Sequence, residues 1–202
     1  MSKTKVLAIS GSPSPVSKTA LVAEYILKHL KSDYVEVDHV RLSELNGAAI
    51  LRGDLSDPGV ARLVTKLNDA HGVVVATPIF KAAYSGLLKA AIDILPQFAL
   101  AGKVVLPMGT GGSLAHVLAL DYALRPVLQS MGARHVVQAH FICETDIDVK
   151  STDRILSVNA EGPLIAAVKN FSYSLTDRNE ARFLGHPRPP TSRELASVLG
   201  DA

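Results

Sequence analysis

The sequence predicts an open α/β fold, a doubly wound sheet of five parallel strands with helices on both faces. Three features point there. The segments VLAI, GVVVA and KVVLP are unbroken apolar runs, not alternating ones, as strands buried on both faces require. Stretches with apolar residues at helical spacing separate them, so strand and helix alternate and each helix serves as a crossover. Loops rich in hydroxyl residues or glycine follow several of the runs, at the strand ends where such a sheet binds ligands.

The elements follow in order. The run KVLAI places the first strand at residues 5–9, and LVAEYILKHL carries a helix over about 17–30, with Ser17 suited to its N-cap. VEVDHVRL supplies a second strand at 35–42, and a helix opens at Pro58 and runs to about residue 70. GVVVAT is the third strand, 72–77, and a helix follows over 86–95. KVVLPM is the fourth strand, 103–108, leading to a long apolar helix over about 113–131. The fifth strand spans 135–142, and a last helix falls near 159–173.

At 202 residues the chain fits one domain with a tail. A hydrophobic fraction of 48% excludes a disordered chain, and a net charge of only +2 gives no electrostatic case for nucleic acid. The first residues are too polar to open a signal peptide, and no apolar run reaches membrane-spanning length, so no membrane partner is expected. The single Cys143 excludes an intrachain disulfide, and no Cys/His spacing suggests a metal. His135 and His140 lie five apart in one expected strand, facing opposite sides, and are poor metal partners. A reduced, cytoplasmic setting is expected. No linker interrupts residues 1–174, read as one ligand-binding domain. Residues 175–202 contain the extended HPRPP stretch and a short amphipathic end; they read as a loosely ordered tail or a partner-docking arm.

Three loops carry the chemistry. GSPSPVSKT offers the hydroxyls of Ser12, Ser14, Ser17 and Thr19, a helix N-terminus and the charge of Lys18. It lacks the glycines that wrap a diphosphate, so a terminal monophosphate suits it better. Capping alone explains one hydroxyl and not four. In TPIFKAAYSG, Pro78 holds Thr77 extended, and Ile79 and Phe80, exposed without a ligand, form a wall for a flat apolar ring. Ordinary core packing of Phe80 and Tyr84 is the competing reading of that segment. In PMGTGGS, Gly109, Gly111 and Gly112 permit close backbone approach, and the N–H groups of Thr110–Ser113 face a ligand's polar edge. One molecule with a monophosphate at one end and a flat polar ring at the other fits all three. FMN has that outline, and it binds at this switch point in flavodoxin, whose strand order 2-1-3-4-5 is the one expected here.

The segments GSPSPVSKT, ATPIFKAAYSGLLKAAIDILP and GKVVLPMGTGGSLAHVLALDYALRPVL resemble the NAD(P)H-dependent FMN reductase family. Within it they are most similar to the reductases of two-component alkanesulfonate monooxygenase systems, over about residues 5–142. The resemblance implies a flavodoxin-like fold in which Ser12, Ser17, Lys18 and Thr19 hold the FMN phosphate. By the same likeness Pro78, Ile79, Phe80 and Lys81 lie at the isoalloxazine, and Thr110, Gly111 and Gly112 lie beside it. Members often carry arginine where this chain has Ser14, which leaves more of the phosphate's charge to Lys18.

LAHVLALDYALRPVLQSM is apolar on nearly every side, so either the core or another subunit covers it. Pro126 has no N–H for the carbonyl of Tyr122, so the helix takes either a plain kink or a one-turn π-bulge there. The family likeness implies a π-helix with Tyr122 at a tetramer interface; Asp121 is a solvated charge or an interface partner. No catalytic acid, base or metal is strictly required, since hydride passes directly between stacked cofactors; His116 is an auxiliary donor or a packed helix residue. The expected activity is reduction of FMN, as substrate or loosely bound, by NADPH or NADH. Reduced FMN would pass to a flavin-dependent monooxygenase in sulfonate sulfur assimilation. An FMN-retaining quinone or azo reductase and a flavodoxin-type electron carrier are the alternatives; lack of tryptophan and of acidic excess speaks against the carrier.

Overall fold

The computed structural model describes residues 3–151 and 154–176. Along the chain, β1 (Thr4–Ser10) leads through α1 (Lys18–Leu30) to β2 (Val35–Arg41), and α2 (Gly47–Arg52) and α3 (Pro58–Asp69) follow. Next come β3 (Gly72–Phe80), β4 (Ala83–Tyr84), α4 (Gly86–Asp93) and β5 (Val104–Gly111). A 3-10 turn (Leu114–His116), a π-helical turn (Leu120–Leu124) and α5 (Arg125–Ser130) precede β6 (His135–Val136), β7 (His140–Cys143), a 3-10 turn (Glu144–Asp146) and α6 (Val158–Thr176).

The main sheet is parallel, in the order β2-β1-β3-β5-β6, with β7 also beside β5. This is the expected 2-1-3-4-5 arrangement with its fifth position shared by two short strands. With β4, which folds back antiparallel on the end of β3, the sheet has 7 strands instead of five. The central strands are apolar throughout because both faces are covered. Leu7, Ile9, Val73 and Val75 pack toward Leu63, Leu67, Leu88 and Leu128, while Val6, Ala8, Val74 and Ala76 pack toward Ile26, Leu164 and Phe171. Gly72 lets α6 approach the sheet: a Cβ there would lie 2.5 Å from Leu175 and 2.8 Å from Phe171.

Two expected elements break up. The helix placed over 113–131 is instead a 3-10 turn, a π-helical turn and a six-residue helix. Pro126 withholds the donor that the carbonyl of Tyr122 would take in an α-helix, and just before it Arg125 N–H reaches back to Leu120 O. The strand placed over 135–142 divides at residues 137–139. Arg125 donates to the carbonyls of Val136 and Val137, at 2.8 and 3.1 Å, and its Nε to Asp121 at 2.8 Å. One guanidinium thus ties the π-turn to the break in the sheet's edge. His135 and His140 therefore occupy separate strands.

Helix α2 was not expected. Asn46 caps it by accepting from the N–H groups of Ala48 and Ala49, and Gly53 ends it at φ 69°. Helix α6 runs to Thr176, past the boundary expected at 174; the rest of the expected tail lies outside the described residues.

Candidate functional site

A cleft of about 290 Å³ opens beside the carboxyl ends of β1, β3 and β5. Ser12, Ser14, Ser17, Lys18, Thr19, Pro78, Phe80 and Thr110 line it, together with Val16, Glu144 and Val149. Residues distant in sequence thus meet where the strand order reverses.

The loop after β1 is fixed at its root. Gly11 N–H donates to Ala76 O at 2.8 Å, and Gly11 O accepts the hydroxyl of Ser85, which also caps α4 through Leu88 N–H. Thr77 Oγ1 accepts Ser85 N–H at 3.0 Å and donates to Pro78 O, so the first loop and the β3 end share one hydrogen-bonded frame. Farther along, Ser14 Oγ donates to Val16 O at 2.8 Å, and Ser17 caps α1 by accepting Ala20 N–H at 3.0 Å. At the floor the hydroxyls of Thr19 and Thr110 lie 2.6 Å apart, 2% and 1% exposed. Lys18 Nζ donates to Glu144 O at 2.6 Å, which draws its charge across the cleft to the segment after β7.

Other expected residues stand elsewhere. Ile79 was expected at the surface beside Phe80. It is 7% exposed and part of the core, because β3 continues to residue 80 and alternates its faces, and Phe80 alone is half exposed. Lys81 does not line the cleft; with Ala82 it forms the two-residue connection of the β3–β4 hairpin, at φ 51° and 62°. Left-handed backbone at two non-glycine residues stores roughly 1–2 kcal/mol each. Gly109 and Gly111 both lie against packed side chains. A Cβ on Gly109 would meet Leu120 at 3.0 Å, and one on Gly111 would meet Phe141 at 3.0 Å. Gly112 is exposed with nothing near a Cβ, so it alone of the three leaves open backbone. Ser113 caps the three-residue 3-10 turn through Ala115 N–H. His116 closes the same turn, half-buried.

Glu144 and Val149 escaped sequence reading. The usable signal was position alone, since ETDID follows a strand end on the ligand side. Among the described residues no group of three or more His, Cys, Asp or Glu stands ready for a metal.

The donor set suits a monophosphate. Three serine hydroxyls, one ammonium and the N-terminus of the 13-residue α1 surround the same space, and the first N–H groups of a helix lack intrahelical partners. The cleft lies at the small end of the range for enclosed ligands, with Phe80 exposed in its lining.

Comparison with known proteins identifies the family. The profile of the NADPH-dependent FMN reductase family matches residues 4–148. An FMN reductase (NADPH) of Escherichia coli (strain K12) is 40% identical over 198 residues, covering 98% of each chain. The NADH-dependent FMN reductase SfnE of Pseudomonas putida is 33% identical over 132 residues, 63% of this chain and 70% of that one. Among solved structures, an apo NADH:FMN oxidoreductase (EMOB) superimposes with a TM-score of 0.82 at 49% identity, covering 93% of this chain and 98% of that one. This chain belongs to the NADPH-dependent FMN reductase family and is an NAD(P)H:FMN oxidoreductase.

Proposed function

We propose that the cleft holds the phosphate end of FMN and that reduced FMN leaves as a diffusible product for a flavin-dependent monooxygenase. The observation that carries this reading is the convergence of Ser12, Ser14, Ser17 and Lys18 at the N-terminus of α1, in a cleft too small to enclose the whole flavin. When bound, FMN supplies the hydride acceptor for the nicotinamide. The chain's own residues bind and orient. Lys18 exchanges its bond to Glu144 O for the phosphate, the serine hydroxyls turn toward the phosphate oxygens, and Phe80 gives the ring an apolar edge. Thr19 and Thr110 hold the floor rigid through their mutual bond. Gly112 and Ser113, unobstructed at the surface, offer N–H groups to the ring's polar edge.

The acceptor in this reading is an alkanesulfonate monooxygenase in the cytoplasm, on the likeness of the three quoted segments to reductases of such systems. Leu114, Leu118 and Tyr122, 66%, 56% and 79% exposed around the π-turn, form an apolar surface suited to a homo-oligomer, read as a tetramer. The FMN-binding domain in this reading ends with α6 at Thr176.

The test is physical separation. The reductase, nicotinamide and FMN stand anaerobically on one side of a dialysis membrane, and the monooxygenase with its sulfonate and oxygen on the other. Product on the far side supports release. FMN that co-purifies stoichiometrically and survives gel filtration in both redox states contradicts it and favours a flavin-retaining reductase.

A further inference from the structure

We propose that His39 is a positioning residue for the phosphate loop, acting through its contacts with the strand before that loop and the helix after it. The inference rests on reading the cleft as the FMN phosphate site. Ser10 is the last residue of β1 before the loop, and Glu24 lies in α1, the helix that follows it, nearly two turns in. His39, on the neighbouring β2, meets both: Nε2 lies 2.9 Å from Ser10 Oγ and Nδ1 lies 3.3 Å from Glu24 Oε1. Arg41 also binds Glu24, and Glu44 stands 4.0 Å from Arg41.

A serine, a histidine and a carboxylate in this order resemble a hydrolytic triad, but Ser10 is 1% exposed and its hydroxyl has no route to a substrate. The arrangement has a different use. A neutral imidazole donates from one nitrogen and accepts at the other. The Glu24 carboxylate accepts only, so Nδ1 carries the proton and Nε2 accepts from the Ser10 hydroxyl. One small ring thereby ties the strand that enters the loop to the helix that leaves it. Burial lowers the pKa of His39 below its ordinary value, against the opposing pull of Glu24, which keeps this neutral form in place. With its ends held, the loop presents Ser12, Ser17 and Lys18 without first being ordered, and preorganisation of that kind appears as affinity.

The experiment is steady-state kinetics with FMN and riboflavin, which share the ring and differ in the phosphate. His39→Leu breaks both bonds, His39→Gln keeps a polar atom toward Ser10, and Ser10→Ala removes one partner alone. We expect His39→Leu to raise KM for FMN about tenfold, the worth of one hydrogen bond to a charged group. The same variant should leave kcat and the KM for riboflavin within about twofold, with His39→Gln recovering part of the loss. Ser10→Ala should shift KM for FMN in the same direction, and adding it to His39→Leu should change nothing further. Should His39→Leu fail to fold, Ser10→Ala and His39→Gln carry the comparison. A wild-type enzyme with equal KM for both flavins overturns the phosphate site itself. A wild type that discriminates, with variants that keep the discrimination or lose both flavins equally, overturns the role of His39 alone.

Discussion

Gly11→Ala should loosen the frame of the cleft. The added Cβ would lie 2.7 Å from Leu88 Cβ, 3.0 Å from Ser85 Oγ and 3.4 Å from Leu88 Cα. Leu88 Cβ is bonded to the backbone of α4, so no change of rotamer relieves the contact. The loop or the helix must yield by roughly 0.7 Å, and overpacking of this kind costs about 1–3 kcal/mol. The Ser85 hydroxyl, which donates to Gly11 O, stands in the way of that movement, and weakening its bond adds about 1 kcal/mol. For a domain of this size, about 2–4 kcal/mol corresponds to a fall in Tm of about 4–16 °C. Because Gly11 roots the phosphate loop, KM for FMN should rise more than KM for riboflavin. Gly112→Ala is the control: nothing lies within 4 Å of its Cβ, so its Tm should match or slightly exceed wild type. Thermal unfolding and flavin kinetics of the two variants decide the matter. A Gly11→Ala protein with wild-type Tm and wild-type KM for FMN would show that Ser85 and Leu88 do not set the loop.

Thr110→Val leaves the buried Thr19 hydroxyl unpaired and should cost about 1–3 kcal/mol in urea denaturation, while Thr19→Val/Thr110→Val together recover most of it. Phe80→Ala removes a half-exposed side chain, so stability should change by less than about 0.5 kcal/mol while affinity for FMN and riboflavin falls alike, read by fluorescence titration. Burial lowers Lys103 from 10.5 to about 8, opposed by Asp69. The unfolded chain then holds more protons between about pH 8 and 10.5, so denaturation midpoints should rise with pH across that window and lose the slope in Lys103→Met. Burial and the Glu161 bond raise Tyr25 to about 12, which reverses the trend above pH 10 as the unfolded tyrosine ionises first. Tyr122→Ala, at a side chain 79% exposed, should reduce the assembly seen by light scattering without lowering Tm of the subunit; a wild type that is monomeric at micromolar concentration removes the basis for an interface.

The crossover strands were legible because burial on both faces leaves an unbroken apolar run, as in GVVVA, and the order of elements then admits few topologies. The clustering of Ser12, Ser17, Lys18 and Thr19 in one cleft was legible for a local reason: they lie within eight residues, and a strand end followed by a helix start brings them together. What escaped depends on distant partners. The fifth strand reads as continuous until Arg125 takes the carbonyls of Val136 and Val137. The hairpin at Lys81–Ala82 carries neither glycine nor asparagine, so its left-handed turn leaves no trace in the composition. The packing of Gly109 and Gly111 against Leu120 and Phe141 leaves no local signal in their loop. Helix α2 had its end signals in Asn46 and Gly53, but six residues are too few to show a period.

Binding of FMN and riboflavin to the wild-type protein, by quenching of flavin fluorescence, bears on the cleft without any substitution. In the proposed reading Lys18 and the loop hydroxyls meet only the phosphate, and a single charge-assisted bond is worth about 1.5–3 kcal/mol. FMN should therefore bind at least about tenfold more tightly than riboflavin, with the difference shrinking in Lys18→Met. Equal dissociation constants for the two flavins would contradict the assignment of this cleft to the phosphate.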